Sequence, residues 1–105
     1  MMPVPLLHPR DGAVFEVTVF KEEQSQSIGL HTSQREAPMP TLVVDAVRSP
    51  SPMSEWNEEN PTMLVTKGDK VIAVNGVSTS AKAMSEEIST SGEVVFLTIL
   101  RPHIS

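Results

Sequence analysis

The sequence contains no cysteine, which excludes disulfide bonds and thiol chemistry and allows a reducing compartment. Its eight lysine and arginine residues are scattered and the net charge is −5, so it lacks the clustered cationic face that nucleic-acid binding needs. No apolar run approaches the roughly 20 residues that cross a bilayer, and Met1–Leu7 is too short and too proline-rich for a signal peptide. We therefore expect neither nucleic-acid binding nor membrane insertion.

Motifs of catalysis are also missing. The serines form no Gly-x-Ser-x-Gly elbow, and no phosphate-binding Gly-x-x-x-x-Gly-Lys loop is present. His8, His31 and His103 are isolated from one another in the sequence, whereas a metal site needs three or four convergent ligands. We expect no catalytic residue, no metal and no cofactor.

The composition is that of a small globular domain. The chain has 105 residues, of which 39% are hydrophobic and 20% charged, as is typical of one soluble domain with one modest core. Aromatic residues make up only 4%, so this core must consist of Val, Ile, Leu and Met. The proline-rich residues 1–12 end in an Asp-Gly turn signal and predict a flexible tail. They are followed by a predicted domain at 13–102 and a short tail at 103–105.

Apolar periodicity predicts five strands and two helices. Within Thr41–Val47 the apolar step changes from two residues to three, which indicates a bulge or a bend. Ser51 followed by Pro52 is typical of a helix N-cap and first helical position, and Ser91-Gly92 is typical of a helix end. The predicted strands are Phe15–Val19, a short strand ending at Thr32, Thr41–Val47, Val71–Val74 and Val95–Ile99, and the predicted helices run from Ser51 to Pro61 and from Ser80 to Thr90.

The most informative stretch is a short apolar strand between two turns. Gly68-Asp69 opens it, Val71–Val74 carries its β-branched residues, and Asn75-Gly76 closes it. Glycine takes a positive φ at little cost, and asparagine tolerates it better than most residues. The β-branched residues favour a strand that is buried on at least one face.

Three passages, in this order, resemble a PDZ domain over roughly residues 14–102. Ser27-Ile28-Gly29-Leu30 is similar to the carboxylate-binding loop of that family, usually Gly-Leu-Gly-Phe. The apolar spacing of Thr41–Val47 and the proline-rich helix start after it are similar to the third strand and first helix. Residues 68–76 are closely similar to the family's Gly-Asp-x-Ile-x-x-Val-Asn-Gly, with Val71 at the position of Ile. The resemblance implies an α+β, mainly β fold, with a five- to six-stranded antiparallel, partly open barrel or sandwich and two helices.

The resemblance also implies a function, which is to bind the C-terminal peptide of a partner protein. Such a peptide adds a strand between the second strand and the second helix, while backbone amides of the loop hold its carboxylate. Gly29 would let consecutive amides converge on the anion. Ile28, Leu30 and Ile88 would surround an apolar last side chain of the peptide, whose burial contributes roughly 1.5–3 kcal/mol. Thr32 would lie one pocket further along.

The third residue from the end of the ligand would face the first position of the second helix. Counting back from Gly92 places Ala81 there, which favours an apolar ligand residue, but a shift in register would place Lys82 or Met84 there instead. His31 and Asp45 would flank the peptide. The expected peptide-binding residues are Ser27, Ile28, Gly29, Leu30, His31, Thr32, Asp45, Ala81, Met84 and Ile88.

An alternative is a degenerate PDZ-like structural or regulatory domain of a larger protein, which binds internal segments or its own chain. The residues before the loop favour it, because Glu22, Glu23 and Gln24 are acidic or neutral and only Lys21 is basic. An acidic loop beside an anion site weakens carboxylate capture. In either case we expect an intracellular, cytoplasmic domain that is a monomer in isolation.

Overall fold

A computed structural model describes residues 12–23 and 26–102. The predicted tails at 1–12 and 103–105 lie outside the described residues except for Gly12, as do His8, His103 and Gln24. The strands are β1 (Val14–Phe20), β2 (Leu30–Arg35), β3 (Thr41–Val47), β4 (Lys70–Val74) and β5 (Val94–Leu100), and the helices are α1 (Pro52–Glu59) and α2 (Ala81–Thr90).

The five strands form one antiparallel sheet in the order β1-β5-β4-β3-β2. The sheet is open, so β2 is an edge strand that pairs with β3 on one side only. The prediction of an α+β, mainly β fold with an antiparallel sheet and two helices is confirmed. Because β1 pairs with β5, the two ends of the described chain meet, and Gly12 N–H donates to Arg101 O over 2.6 Å.

The core is built from alternate residues of the strands and from one face of each helix. In β1, Val17 and Val19 are buried, and in β5, Leu97 and Ile99 are buried, as the period of two requires. Phe15 is the only phenylalanine in the core, since Phe20 and Phe96 are exposed. The other core residues are Ile28, Leu42, Val44, Met53, Val65, Val71, Val74, Ala81, Met84 and Val95. Aliphatic side chains and methionine therefore carry most of the packing, as the composition predicts.

Strand β3 contains the predicted bulge. His31 pairs with Ala46 and Thr32 pairs with Val44, so Asp45 is the extra residue on β3. A bulge of this kind increases the local twist of the two strands. It lies beside the start of β2, which directly follows the loop around Gly29 (the glycine loop).

The turn after β4 forms as predicted, at Asn75-Gly76. Both residues have positive φ, at 50° and 81°, and the backbones of Val74 and Val77 exchange hydrogen bonds across the turn. The Asn75 side chain accepts from Phe96 N–H over 2.8 Å and donates to Glu87 in α2 over 2.9 Å. One side chain thus connects this turn with β5 and with α2.

The turn before β4 contains a buried ion pair. Asp69 is 2% exposed and accepts two hydrogen bonds from Arg101, over 2.9 and 2.8 Å. Its carboxylate also accepts from Thr66 N–H over 2.9 Å, and Arg101 donates a further bond to Leu64 O over 2.6 Å. These bonds join the loop before β4 to the residue after β5.

Helix α1 begins against the glycine loop. Ser51 is its N-cap, with its hydroxyl accepting from Ser54 N–H over 3.0 Å, and Pro52 is its first residue, as predicted. Gly29 has a φ of +89° and lies so close that an added Cβ would overlap with Oγ and Cβ of Ser51. The loop and the start of α1 therefore fit together only with a glycine at position 29.

We expect Asp69→Asn to lower the free energy of unfolding by about 3 kcal/mol, because it leaves the largely buried guanidinium of Arg101 without a counter-charge. Urea-induced unfolding measures this change. The matched control is Asp45→Asn, at an exposed aspartate that accepts one bond from Ser33, for which we expect less than about 0.5 kcal/mol. Equal effects of the two substitutions would contradict a structural role for the Asp69–Arg101 pair.

Gly29→Ala should destabilise the protein through two separable effects. Positive φ alone costs about 1–2 kcal/mol, and the overlap with Ser51 should add about 1–3 kcal/mol. Gly76→Ala isolates the first effect, because Gly76 has a φ of +81° and an added Cβ would have no neighbour within 4 Å.

The overlap is tested by a double-mutant cycle measured by thermal or urea unfolding. Ser51→Gly removes both overlapping atoms and weakens the N-cap by only a few tenths of a kcal/mol. Gly29→Ala should therefore cost less in the Ser51→Gly background than in the original sequence. An equal cost in both backgrounds would show that the two residues do not constrain each other.

Candidate functional site

The site is a groove between the edge strand β2 and helix α2. Their side chains and the loop before β2 enclose a cavity of about 280 Å³. Its lining residues are Gln26, Ser27, Ile28, Leu30, Thr32, Ser85, Ile88 and Ser89. Leu30 and Thr32 lie on the same face of β2 because side chains alternate along a strand. Ser85, Ile88 and Ser89 lie on one face of α2 because they are spaced by three and four residues.

Two charged side chains hold α2 in place, one at each end. At the N-terminal end Glu36 accepts from Ala81 N–H over 2.8 Å and from Lys82 N–H over 3.2 Å. At the C-terminal end the ammonium of Lys21 donates to the carbonyls of Ile88 and Ser91, each over 3.2 Å. An anion at the N-terminus and a cation at the C-terminus both interact favourably with the helix dipole.

Lys21 therefore has a structural role at the C-terminal end of α2. It is 4% exposed, and its ammonium is directed at the last turn of α2. The sequence singled it out as the basic residue nearest to the loop. In the structure its ammonium donates to carbonyls at the end of α2. Lys21 is not among the residues that line the cavity.

The backbone of the loop presents its amides towards the groove. The carbonyl of Ile28 accepts from Met53 N–H over 2.9 Å and that of Gly29 accepts from Arg48 N–H over 2.8 Å. In a trans peptide unit the N–H lies opposite the carbonyl. The N–H groups of Gly29 and Leu30 therefore point away from α1, to the side on which the cavity lies.

One of these amides already has a partner. Gly29 N–H donates to Ser27 Oγ over 3.1 Å. Ser27 itself is exposed. A hydroxyl oxygen thus occupies the position that an anionic ligand oxygen would take.

The structure brings together part of the predicted site. The cavity-lining members of the predicted set are Ser27, Ile28, Leu30, Thr32 and Ile88. Gly29 contributes its backbone beside them. His31 and Asp45 are exposed and lie outside the cavity, where His31 contacts Arg48 over 3.4 Å and Asp45 accepts from Ser33 over 2.6 Å.

Ala81 and Met84 do not line the cavity. Helix α2 begins at Ala81, as the sequence predicts, but both side chains have 0% exposure and belong to the core. The helix is rotated so that its apolar face packs on the sheet, which turns the neighbouring polar positions towards the groove. Because both side chains are fully buried, neither is accessible to a ligand.

Sequence reasoning missed the polar residues that line the groove, which are Gln26, Ser85 and Ser89. Ser85 precedes Ile88 by three residues and Ser89 follows it directly, so helical periodicity around Ile88 was the signal that would have found them.

The cavity carries no net charge of its own. None of its lining residues is Asp, Glu, Lys, Arg or His, so its polar character comes from hydroxyls, one amide side chain and backbone N–H groups. Across residues 12–23 and 26–102, no three His, Cys, Asp or Glu residues are grouped in a way that suits a metal ion. Neither helix of this part of the chain has the length and the apolar run that a membrane crossing requires.

Comparison with known proteins finds the same architecture elsewhere. No family model matches the sequence, and no curated protein matches it. The structure is similar to the crystal structure of MUPP1 PDZ4, with a TM-score of 0.69 and 12% sequence identity, and the alignment covers 89% of this chain and 79% of that one. The open five-stranded sheet, the two helices and the groove between β2 and α2 therefore constitute a PDZ-like fold.

Proposed function

We propose that this domain is a protein-interaction module that binds the C-terminal peptide of a partner as an added strand between β2 and α2. The observation that carries the proposal is the cavity between the open edge of β2 and α2, onto which the amides of the loop are directed. An edge strand offers unpaired backbone groups to an extended peptide. The lining residues include no acid, base or nucleophile–base pair, which favours binding over catalysis.

The end of the groove near the loop suits an apolar last residue of the ligand. Leu30 and Ile88 are half-buried and line the cavity from β2 and α2, and the buried core residue Ile28 lines it as well. An aliphatic side chain placed there leaves water for an apolar surface, which contributes roughly 1.5–3 kcal/mol. Its carboxylate would meet the N–H groups of Gly29 and Leu30.

The third residue from the end of the ligand would meet hydroxyl groups. Thr32 on β2 and Ser85 on α2 both line the cavity and are half-buried, whereas Ala81 is in the core. A ligand side chain with a donor or acceptor satisfies these hydroxyls, and an apolar one would leave them without a partner when water is displaced. We therefore propose a hydrogen-bonding residue at this ligand position, in place of the apolar one that Ala81 favours.

The second candidate is a groove that takes an internal segment or part of its own chain. Three observations favour it. The cavity lining has no cation, Lys21 is bonded to α2, and Ser27 already accepts from Gly29 N–H. A carboxylate in this groove would be held by backbone amides alone. In both cases we infer an intracellular domain that acts as a monomer.

We expect the domain to select, from a library of C-terminal peptides, ligands with an aliphatic last residue and a hydroxyl or amide side chain at the third residue from the end. Amidation of the C-terminus should weaken a selected peptide at least about tenfold, since a hydrogen bond to a charged group is worth about 1.5–3 kcal/mol. Isothermal titration or fluorescence anisotropy measures the affinity. Unchanged affinity after amidation would reject carboxylate capture and support the internal-segment alternative.

Ile88→Ala should weaken the same peptide by about 1–2 kcal/mol through the loss of apolar contact. The matched control is Val94→Ala, which truncates an exposed apolar side chain on the opposite side of the sheet and should leave the affinity unchanged. Equal losses in both variants would place the peptide outside the groove.

Ser27→Ala should strengthen the binding of a peptide with a free carboxylate by up to about fivefold. The substitution removes the hydroxyl that competes for Gly29 N–H, and a net hydrogen bond is worth about 1 kcal/mol. The affinity of the amidated peptide should not change. If Ser27→Ala weakens binding, the hydroxyl itself donates to the ligand.

A further inference from the structure

The groove is bridged at the end that lies away from the loop. Glu36 follows the last residue of β2, and its two carboxylate oxygens accept from Ala81 N–H and Lys82 N–H at the start of α2. The acceptor and the donors are 45 and 46 residues apart in sequence. We call this pair of hydrogen bonds the Glu36 bridge. It connects the two walls of the groove directly.

The bridge completes the hydrogen bonding of the α2 N-terminus. Ala81 and Lys82 donate to Glu36, Ala83 N–H donates to the hydroxyl of the N-cap Ser80, and Met84 N–H donates to Ser80 O. The first four N–H groups of a helix have no partner within the helix itself. In this protein none of the amides from Ala81 to Met84 is left to receive an anion from a ligand.

The position of Glu36 relates to the path of an added strand. Leu30 and Thr32 share a face of β2, and the carboxylate of Glu36, the residue directly after β2, reaches the start of α2. A ligand strand antiparallel to β2 would have its last residue near Leu30. Followed from there towards its N-terminus, the ligand would reach Glu36. The six residues of β2 between the loop and Glu36, at about 3.3 Å per residue, leave room for about six ligand residues.

Glu36 also places a negative charge where a longer ligand would leave the groove. It is exposed, and it forms no ion pair within the part of the chain that the structure describes. Arg35, the adjacent cation, alternates to the other face of β2 and lines a separate cavity with Lys70. The carboxylate of Glu36 therefore faces the ligand path without a paired side chain.

We propose that the Glu36 bridge sets the upstream boundary of the peptide site and selects against acidic ligand residues beyond it. This rests on the proposed function and names the class of ligand for the same groove. The ligand has about six residues in contact, a basic or neutral residue at the seventh position from its end, and no acidic residue there. The bridge is a specificity-determining element rather than part of the pocket for the last residue.

The bridge itself is tested without any peptide, by amide hydrogen exchange of the free protein. Glu36→Ala should speed exchange at Ala81 and Lys82, which lose their acceptor, and leave Ala83 protected by Ser80. The matched control is Glu59→Gln at the exposed end of α1, which should change none of these rates. Equal exchange at Ala81 and Lys82 in the original and Glu36→Ala proteins would overturn the bridge.

The boundary is tested with peptides of four, six, seven and eight residues that share the same last four residues. Affinity should rise up to about six residues and then stay constant. At the seventh position from the end, Asp should bind about 2–5-fold more weakly than Lys, as is typical of exposed charge pairs. This difference should shrink in about 1 M salt, where the screening length is about 3 Å. Glu36→Gln should reduce it below about twofold, and Glu59→Gln should preserve it.

The possible outcomes separate the two proposals. A difference between Asp and Lys that persists in Glu36→Gln would overturn the boundary and leave the peptide-binding function standing. A protein that binds none of the peptides would overturn the proposed function and the boundary with it. If the affinity difference between the Asp and Lys peptides is lost in Glu36→Gln and kept in Glu59→Gln, the peptide-binding function and the boundary are both supported.

Discussion

The candidate site depends on the close approach of Gly29 to Ser51. This contact fixes the loop against the start of α1, with the loop carbonyls bonded to Arg48 and Met53. Once the carbonyls are held there, planarity of the peptide units directs the amides of Gly29 and Leu30 to the opposite side. The anion binding that we propose for the loop thus depends on packing behind the loop, not on any charged group in front of it.

Charged side chains in this domain act mainly on the framework of the groove. Glu36 and Lys21 hold the two ends of α2, and Asp69 with Arg101 joins the loop before β4 to the end of β5. The groove between them is lined by neutral residues. A binding site of this composition obtains its selectivity from shape, hydrogen bonding and charges at its border, since its interior offers no full charge to a ligand.

Local signals predicted most of the fold. Asn75-Gly76 and Ser51-Pro52 specify a turn and a helix start through their own backbone preferences, and the apolar spacing of β3 indicated its bulge. The site was less accessible from sequence. The rotation of α2, which buries Ala81 and Met84 and exposes Ser85 to the groove, results from packing on the sheet. The partners of Glu36 and Lys21 are 45 or more residues away, and no local pattern encodes such contacts.

The pairing of β1 with β5 has a consequence for how the domain is made. The first strand of the described chain obtains its only neighbour from the last strand, so during synthesis β1 stays unpaired until almost the whole domain has emerged. Pairing β1 with β5 closes a loop that contains the other three strands and both helices, and contacts of this large sequence separation form late in folding. Topologies with many such contacts fold more slowly than those rich in local contacts. Phe15, Val17 and Val19 are then exposed in a nascent chain, where unpaired apolar strands are prone to association. The arrangement that brings the two ends together in the finished domain therefore makes its amino-terminal strand the segment most in need of protection before completion.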